Sequence, residues 1–315
     1  MPVSRTLRTL TALSILAALA APLAAQEETA VFRTDSRLVV LHATVLDQEG
    51  RLVTDLPRTA FRIYENGVEQ QLKIFRREDA PVSVGFVIDD SGSMIDKRQR
   101  VAAAALALVN ASHPGDEVFV IHFNEKTYLD TTFTRDRGRL EQALAVFDSR
   151  GTTAMRDAIR LAVEHLERRA SEDKKVLILV SDGEDNTSVI SRADVIQAAQ
   201  QSGVLIYAMG ILHQVPGPET ERARQELDAL TQATGGQAFY LNDVSEAPQA
   251  AQVIARDIRN QYTLAYTPWR PDLDGTFRKI QVVASGPAQL TVRTRSGYWA
   301  SRKPAPRGDL PLSNR

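Results

Sequence analysis

Hydrophobic and polar positions along the chain follow two periods, and the changes between them mark the organisation. Residues 34–80 alternate with the period of half-buried strands. Leu38 to Leu46 carries Val39, Val40 and Val45, and Asp47-Gln48-Glu49-Gly50 turns the chain toward Leu52 and Val53. Phe61 to Glu65 and Val68 to Phe75 flank Asn66-Gly67, a strong short hairpin signal. From residue 81 the pattern changes. Short, wholly apolar runs alternate with helical stretches, as in an α/β fold whose parallel strands are covered on both faces. Val82–Ile88, Glu117–Phe123, Lys175–Ser181 and Val204–Gly210 are the expected strands. Val101–Val109, the face Met155/Ile159/Ala162/Leu166, a stretch opened by Ser191 with Asp194 and closed by Gly203, the face Ala223/Leu227/Leu230 and the face Ala251/Ile254/Ile258 are the expected helices. After Gln261 the strand period returns in Tyr262–Tyr266, Phe277–Val283 and Gln289–Thr294. Neither flank has enough strands for a stable sheet system alone. The expected architecture is therefore a doubly wound, mostly parallel α/β unit (81–261) inserted in a small β domain formed by both chain ends (34–80 and 262–300), with a disordered tail from 301.

The N-terminus changes the compartment. Arg5 and Arg8 precede an apolar run from Leu10 to Leu23, and Ala24 and Ala25 stand before Gln26. This is the pattern of a secretory signal peptide, residues 1–25, cleaved after Ala25. Its loss would take the formal net charge from −1 to −3, since two arginines go with it. No later segment of the 315 residues is apolar enough to span a membrane, so the mature chain is expected to lack a transmembrane segment. There is no cysteine, hence no disulfide and no thiol chemistry. An exported chain of this kind reads as bacterial, periplasmic or extracellular. The near-neutral charge and the absence of a basic block argue against nucleic acid as a partner.

Candidate chemistry gathers where apolar runs end. Asp89, Ser91 and Ser93 follow the first parallel strand at alternate positions; Gly151-Thr152-Thr153-Ala154 precedes the Met155 helix; Ser181-Asp182-Gly183-Glu184-Asp185-Asn186 leaves the Lys175 strand. Oxygen side chains alone suit a small hard cation. Ligands of open α/β sheets collect at the carboxyl ends of strands, where the strand order reverses. No nucleophile elbow surrounds Ser91, because Asp89 and Ser93 stand where glycines would be needed. His42, His113, His122, His165 and His213 show no zinc spacing and read as surface or partly buried side chains.

The sequences Ile-Asp-Asp-Ser-Gly-Ser-Met, Gly-Thr-Thr-Ala-Met-Arg-Asp-Ala-Ile and Val-Ser-Asp-Gly-Glu-Asp resemble, in order, the three parts of a von Willebrand factor A domain. The flanks Leu-Pro-Arg-Thr-Ala-Phe, Glu-Asn-Gly and Arg-Ser-Gly-Tyr resemble a bacterial exported subgroup with this domain embedded between β segments. The resemblance implies a metal-ion-dependent adhesion site. Ser91, Ser93 and Thr153 would give hydroxyl ligands to Mg²⁺ (or Mn²⁺ or Ca²⁺), and Asp89 and Asp182 would act directly or through water. A protein partner's Asp or Glu would complete the shell. Asp90 is expected to add negative charge near the ion, Asp157 to support the loop, and Glu184, Asp185 and Asn186 to form a solvated loop. The ligand side chains are expected at the rim rather than in the core. The implied function is a non-enzymatic, metal-dependent binding module. The alternatives are a metal-assisted hydrolase and a structural envelope component with an inactive site. Arg307-Gly308-Asp309 in the tail reads as a coincidental adhesion tripeptide.

Overall fold

A computed structural model describes residues 38–301 except 78, 146–147 and 213–216. The expected signal peptide, His213 and the Arg307-Gly308-Asp309 tail lie outside the described residues. The described residues fall in one compact unit, Ser36–Arg315.

Strands β1 (Val39–Leu46), β2 (Phe61–Glu65), β3 (Val68–Gln70) and β4 (Leu72–Arg76) come first. Asn66 and Gly67 take positive φ of 48° and 82°, the conformation a two-residue hairpin between β2 and β3 requires. One strand was expected over Val68–Phe75, but the chain changes sheets at Gln71: β3 pairs with β2, whereas β4 belongs to the other sheet.

Then come β5 (Ser83–Asp89), α1 (Arg98–Ala111), β6 (Glu117–Phe123), β7 (Thr127–Thr134), α2 (Arg137–Leu144), α3 (Met155–Arg169), β8 (Lys175–Ser181), α4 (Arg192–Ser202), β9 (Val204–Gly210), α5 (Pro218–Thr234), β10 (Ala238–Tyr240) and α6 (Ala247–Arg259). The six strands order as β10-β9-β8-β5-β6-β7, parallel except for the antiparallel edge strand β7. Every residue of β5 is buried because helices cover both faces. Val84, Phe86 and Ile88 pack with α1, α2 and α6, and Val87 with α3, α4 and α5. Gly85 lies under the Phe119 ring, and a Cβ there would sit 2.4 Å from it. The Ser191/Asp194 capping box opens α4, and Gly203 closes it in the left-handed region.

The chain ends with β11 (Tyr262–Tyr266), β12 (Phe277–Ala284), β13 (Thr291–Arg293) and β14 (Gly297–Trp299). Strands from the two flanks interleave in two four-stranded sheets, β13-β1-β11-β4 and β14-β12-β2-β3. Leu41, Ile63, Tyr262, Leu264, Ile280 and Val282 share their core. Inside it, buried Glu65 accepts hydrogen bonds from Tyr266 (2.7 Å) and Tyr298 (2.9 Å).

A polar clamp ties this β part to the α/β layers. Asp257 of α6 accepts hydrogen bonds from Thr44 Oγ1 and Tyr207 OH, both 2.7 Å, and from Arg293. Burial and the Asp257 charge hold the Tyr207 phenol well above its usual range.

Candidate functional site

The chain leaves central β5 for β6 on one side and returns to β8 on the other, so the loops after β5 and β8 diverge. This is the switch point where such sheets form a crevice. Each expected side chain is positioned there by identifiable bonds. Asp89 ends β5: its Oδ1 accepts from Ser91 N (3.0 Å) and its Oδ2 from Ser181 Oγ at the end of β8 (2.6 Å). The chain then turns through a short 3-10 segment, Gly92–Lys97, which sets Ser91 Oγ and Ser93 Oγ 3.1 Å apart. The Gly151–Ala154 loop closes over this turn. Gly92 N donates to Gly151 O (3.1 Å), and Ala154 N donates to Asn124 O (2.8 Å). Thr153 is fixed from both sides: its N–H donates to Asn186 Oδ1 (2.9 Å), and its carbonyl accepts from Asn186 and Thr187 (both 3.1 Å). Asp182 follows β8, with Glu184 N donating to its Oδ1 (3.2 Å) and Lys97 Nζ to its Oδ2 (2.7 Å).

The three loops therefore bring Asp89, Ser91, Ser93, Thr153 and Asp182 to one end of the β5/β8 boundary. Burial raises the Asp89 pKa to about 7, with the Asp182 carboxylate adding to the rise and the bonds from Ser181 and Ser91 opposing it. The donor set fits a small hard cation. Two oxygens on neighbouring corners of an octahedron with bonds of about 2.1 Å are about 3.0 Å apart, against about 3.4 Å for Ca²⁺-length bonds near 2.4 Å. The two serine hydroxyls are hydrogen-bonded to each other at 3.1 Å, a spacing that neighbouring ligands of a small cation can share. Among the described residues no group of three His, Cys, Asp or Glu side chains is placed to hold an ion.

Residues 83–253, more than half of the chain, match the family described as the von Willebrand factor type A domain. The chain belongs to that family. Mouse calcium-activated chloride channel regulator 1 is 30% identical over 168 residues, 51% of this chain and 17% of that protein. Human integrin alpha-D is 28% identical over 162 residues, 48% of this chain and 14% of that protein. The chain thus spans less than a fifth of the length of these curated relatives. Among solved structures, proximal thread matrix protein 1 from the mussel byssus, with a zinc-occupied MIDAS motif, shares the fold at a TM-score of 0.50 and 18% identity, covering 60% of this chain and 48% of that one.

Several details of this type A domain differ from what its sequence suggests. Four of the five candidate ligands are not at an open rim, and only Ser93 is partly exposed: Asp89 and Ser91 are 0% exposed, Asp182 1% and Thr153 2%. Strand-end side chains here are roofed by the loops that position them. The Asp90 carboxylate is engaged with the neighbouring 148–149 segment, accepting from Asp148 N (3.0 Å), Ser149 N (2.6 Å) and Ser149 Oγ (3.0 Å). Asp185 is no solvated loop residue: it accepts from Arg156 N (2.8 Å) and Ser188 Oγ (2.7 Å). Asp157 holds the same loop through Val189 N (3.1 Å) and Ile190 N (3.2 Å).

Two histidines are core residues rather than surface ones. His122 is 0% exposed and meets Asp130 at 2.7 Å. His165 stacks on Phe133, with ring centroids 5.3 Å apart. Pattern reading missed Lys97, Ser181 and Asn186. The serine and asparagine stand inside a quoted motif, whereas Lys97 sits in the charged run Asp96-Lys97-Arg98, which reads as a solvated helix start.

Proposed function

We propose that this type A domain is an exported, metal-dependent protein-binding module. Its cup takes a small divalent cation, Mg²⁺ first, with Mn²⁺ and Ca²⁺ as alternatives. Ser91, Ser93 and Thr153 would hold the ion through hydroxyls, and Asp89 and Asp182 directly or through water. The bound ion would supply an electrophilic centre for the carboxylate of an Asp or Glu on a protein partner. Adhesion is the activity class that the likeness to integrin alpha-D favours.

The observation that carries this reading is the 3.1 Å pair of serine hydroxyls beside two buried carboxylates at the switch point. The chain's own residues keep the cup formed: Ser181 and the Ser91 amide orient Asp89, and Asn186 orients Thr153. Metal and partner affinities should rise together by linkage. We place the domain at residues 81–261 between the β segments 34–80 and 262–300, in a mature chain that begins at Gln26 and works in the periplasm or outside the cell. No described helix is long and apolar enough to cross a membrane.

Calorimetric titration with Mn²⁺, paired with capture of partners from envelope extract with and without chelator, tests the reading. Wild-type protein should bind the ion and Ser91→Ala should bind at least tenfold more weakly. The captured partner should be released by chelator and lost when its acidic residue is changed. Partner affinity within about twofold under chelator, about 0.4 kcal/mol, would place binding on another surface.

A further inference from the structure

The cup contains a group that metal binding does not require. Lys97 is 4% exposed, and its ammonium lies 2.7 Å from Asp182 Oδ2, in an ion pair whose side chains are 5% and 0% exposed. No other carboxylate pairs with this ammonium within 4.0 Å among the described residues. Lys97 also ends the Gly92–Lys97 turn that carries Ser93, so the lysine and a candidate ligand are parts of one segment.

Charge arithmetic makes this arrangement consequential. With both carboxylates ionised, as a bound divalent ion would require, Asp89 and Asp182 give the cup −2, and Lys97 would bring it to −1. A divalent ion entering beside the ammonium would meet a like charge in a space shielded from water, where such repulsion is strong. A divalent ion entering after the ammonium has gone would meet −2 and be neutralised.

We propose that Lys97 is the cup's resident cation: it holds Asp182 while no divalent ion is bound and leaves that carboxylate when one enters. Loading is then an exchange of a tethered monovalent charge for a free divalent one. The exchange lowers the apparent metal affinity and keeps the two aspartates together in the empty state. This inference rests on the metal reading of the same site.

Amine footprinting of the full mature chain by mass spectrometry tests it without a mutation. In chelator, Lys97 should be modified slowly. With saturating Mn²⁺ its modification should speed up at least tenfold, while exposed Lys126 is unchanged as a control. In parallel, Lys97→Met should bind Mn²⁺ at least tenfold more tightly than wild type by calorimetry. Equal Lys97 labelling with and without Mn²⁺, or Mn²⁺ affinity of Lys97→Met equal to or below that of wild type, overturns the exchange and leaves the metal site standing. Failure of both proteins to take up Mn²⁺ removes the metal reading and the exchange together. Should Lys97→Met not fold, the wild-type footprint decides.

Discussion

Asp182→Ala is the substitution that separates a buried ionic cup from a solvated rim. In metal-free protein it removes the partner of Lys97, whose ammonium is then buried without a counter-charge; breaking such a pair costs about 3–5 kcal/mol. Part of that is offset, because Asp89 is raised to about 7 by burial and next by Asp182, and losing that neighbour eases it. Taking the relief as about 1 kcal/mol leaves a net loss of about 2–4 kcal/mol. For a unit of this size each kcal/mol moves the midpoint by about 2 °C, so melting in chelator should fall by about 4–8 °C. Lys97→Met/Asp182→Ala removes both charges and fills the space with an apolar stem, and should return to within about 1 kcal/mol of wild type. With Lys97→Met alone costing at least about 1 kcal/mol for the two buried carboxylates it leaves uncompensated, the cycle should show a coupling of at least about 2 kcal/mol. Ser91→Ala, which gives up hydroxyl contacts to Ser93 and to the Asp89 carboxylate, should cost about 1–3 kcal/mol. The assay is thermal unfolding followed by circular dichroism, with chelator throughout. Asp182→Ala melting within 2 °C (about 1 kcal/mol) of wild type, or a double variant less stable than either single one, would refute the reasoning.

Two further outcomes follow from the same geometry. His165 is 6% exposed between Phe119 and Phe133, and burial, then Arg169, lowers its pKa to about 4. The unfolded chain binds that proton near the ordinary value of 6.5, so the stability is complete above about 6.5 and lost as pH falls toward about 4, by up to about 3 kcal/mol. Urea titrations from pH 7.5 to 4.5 should show His165→Phe losing less stability than wild type, and parallel pH profiles would sink this account. Gly151 has φ +76° and a Cβ there would lie 1.8 Å from Glu125 Oε2, so Gly151→Ala combines left-handed strain of about 1–2 kcal/mol with a displaced carboxylate. Because Gly151 O anchors Gly92, Mn²⁺ affinity should drop along with the melting temperature, and unchanged affinity would show that this loop does not shape the cup.

How much of this was legible in the sequence depends on what each residue's neighbours along the chain reveal. The meeting of the loops that carry Asp89, Ser91, Ser93, Thr153 and Asp182 was readable because each lies where a strand or helix pattern begins or ends, and the architecture sends those junctions to one crevice. The pairing of both flanks was readable because too few strands stood on either side; the observed partners are Val40 with Ala265 and Ile63 with Val282. The sheet change at Gln71 was not, since β3 and β4 differ only in which partner each one meets. Edge strand β7 was also missed: Tyr-Leu-Asp-Thr-Thr-Phe pairs on one side only and so carries no wholly apolar run. Lys97 was invisible because its neighbours in sequence are solvated charges, while its partner is 85 positions away.

The placement of the acids bears on what the cup can bind. The strand-end motifs hold Asp89, Asp90, Asp182, Glu184 and Asp185, and counted together they suggest a strongly negative basin. Asp90 is committed to the 148–149 backbone and Asp185 to Arg156 and Ser188. Of the other three, Asp89 and Asp182 stand at the strand ends beside the candidate hydroxyls, and Glu184 is partly exposed on the loop beyond Asp182. A cup of −2 is neutralised by one divalent cation and then presents no surplus charge to an arriving carboxylate. A third carboxylate holding the ion would leave the loaded cup at −1 and repel the acidic partner that the proposed function requires. The hydrogen bonds that tie Asp90 to Asp148 and Ser149 thus fit a site that must first attract a cation and afterwards accept an anion.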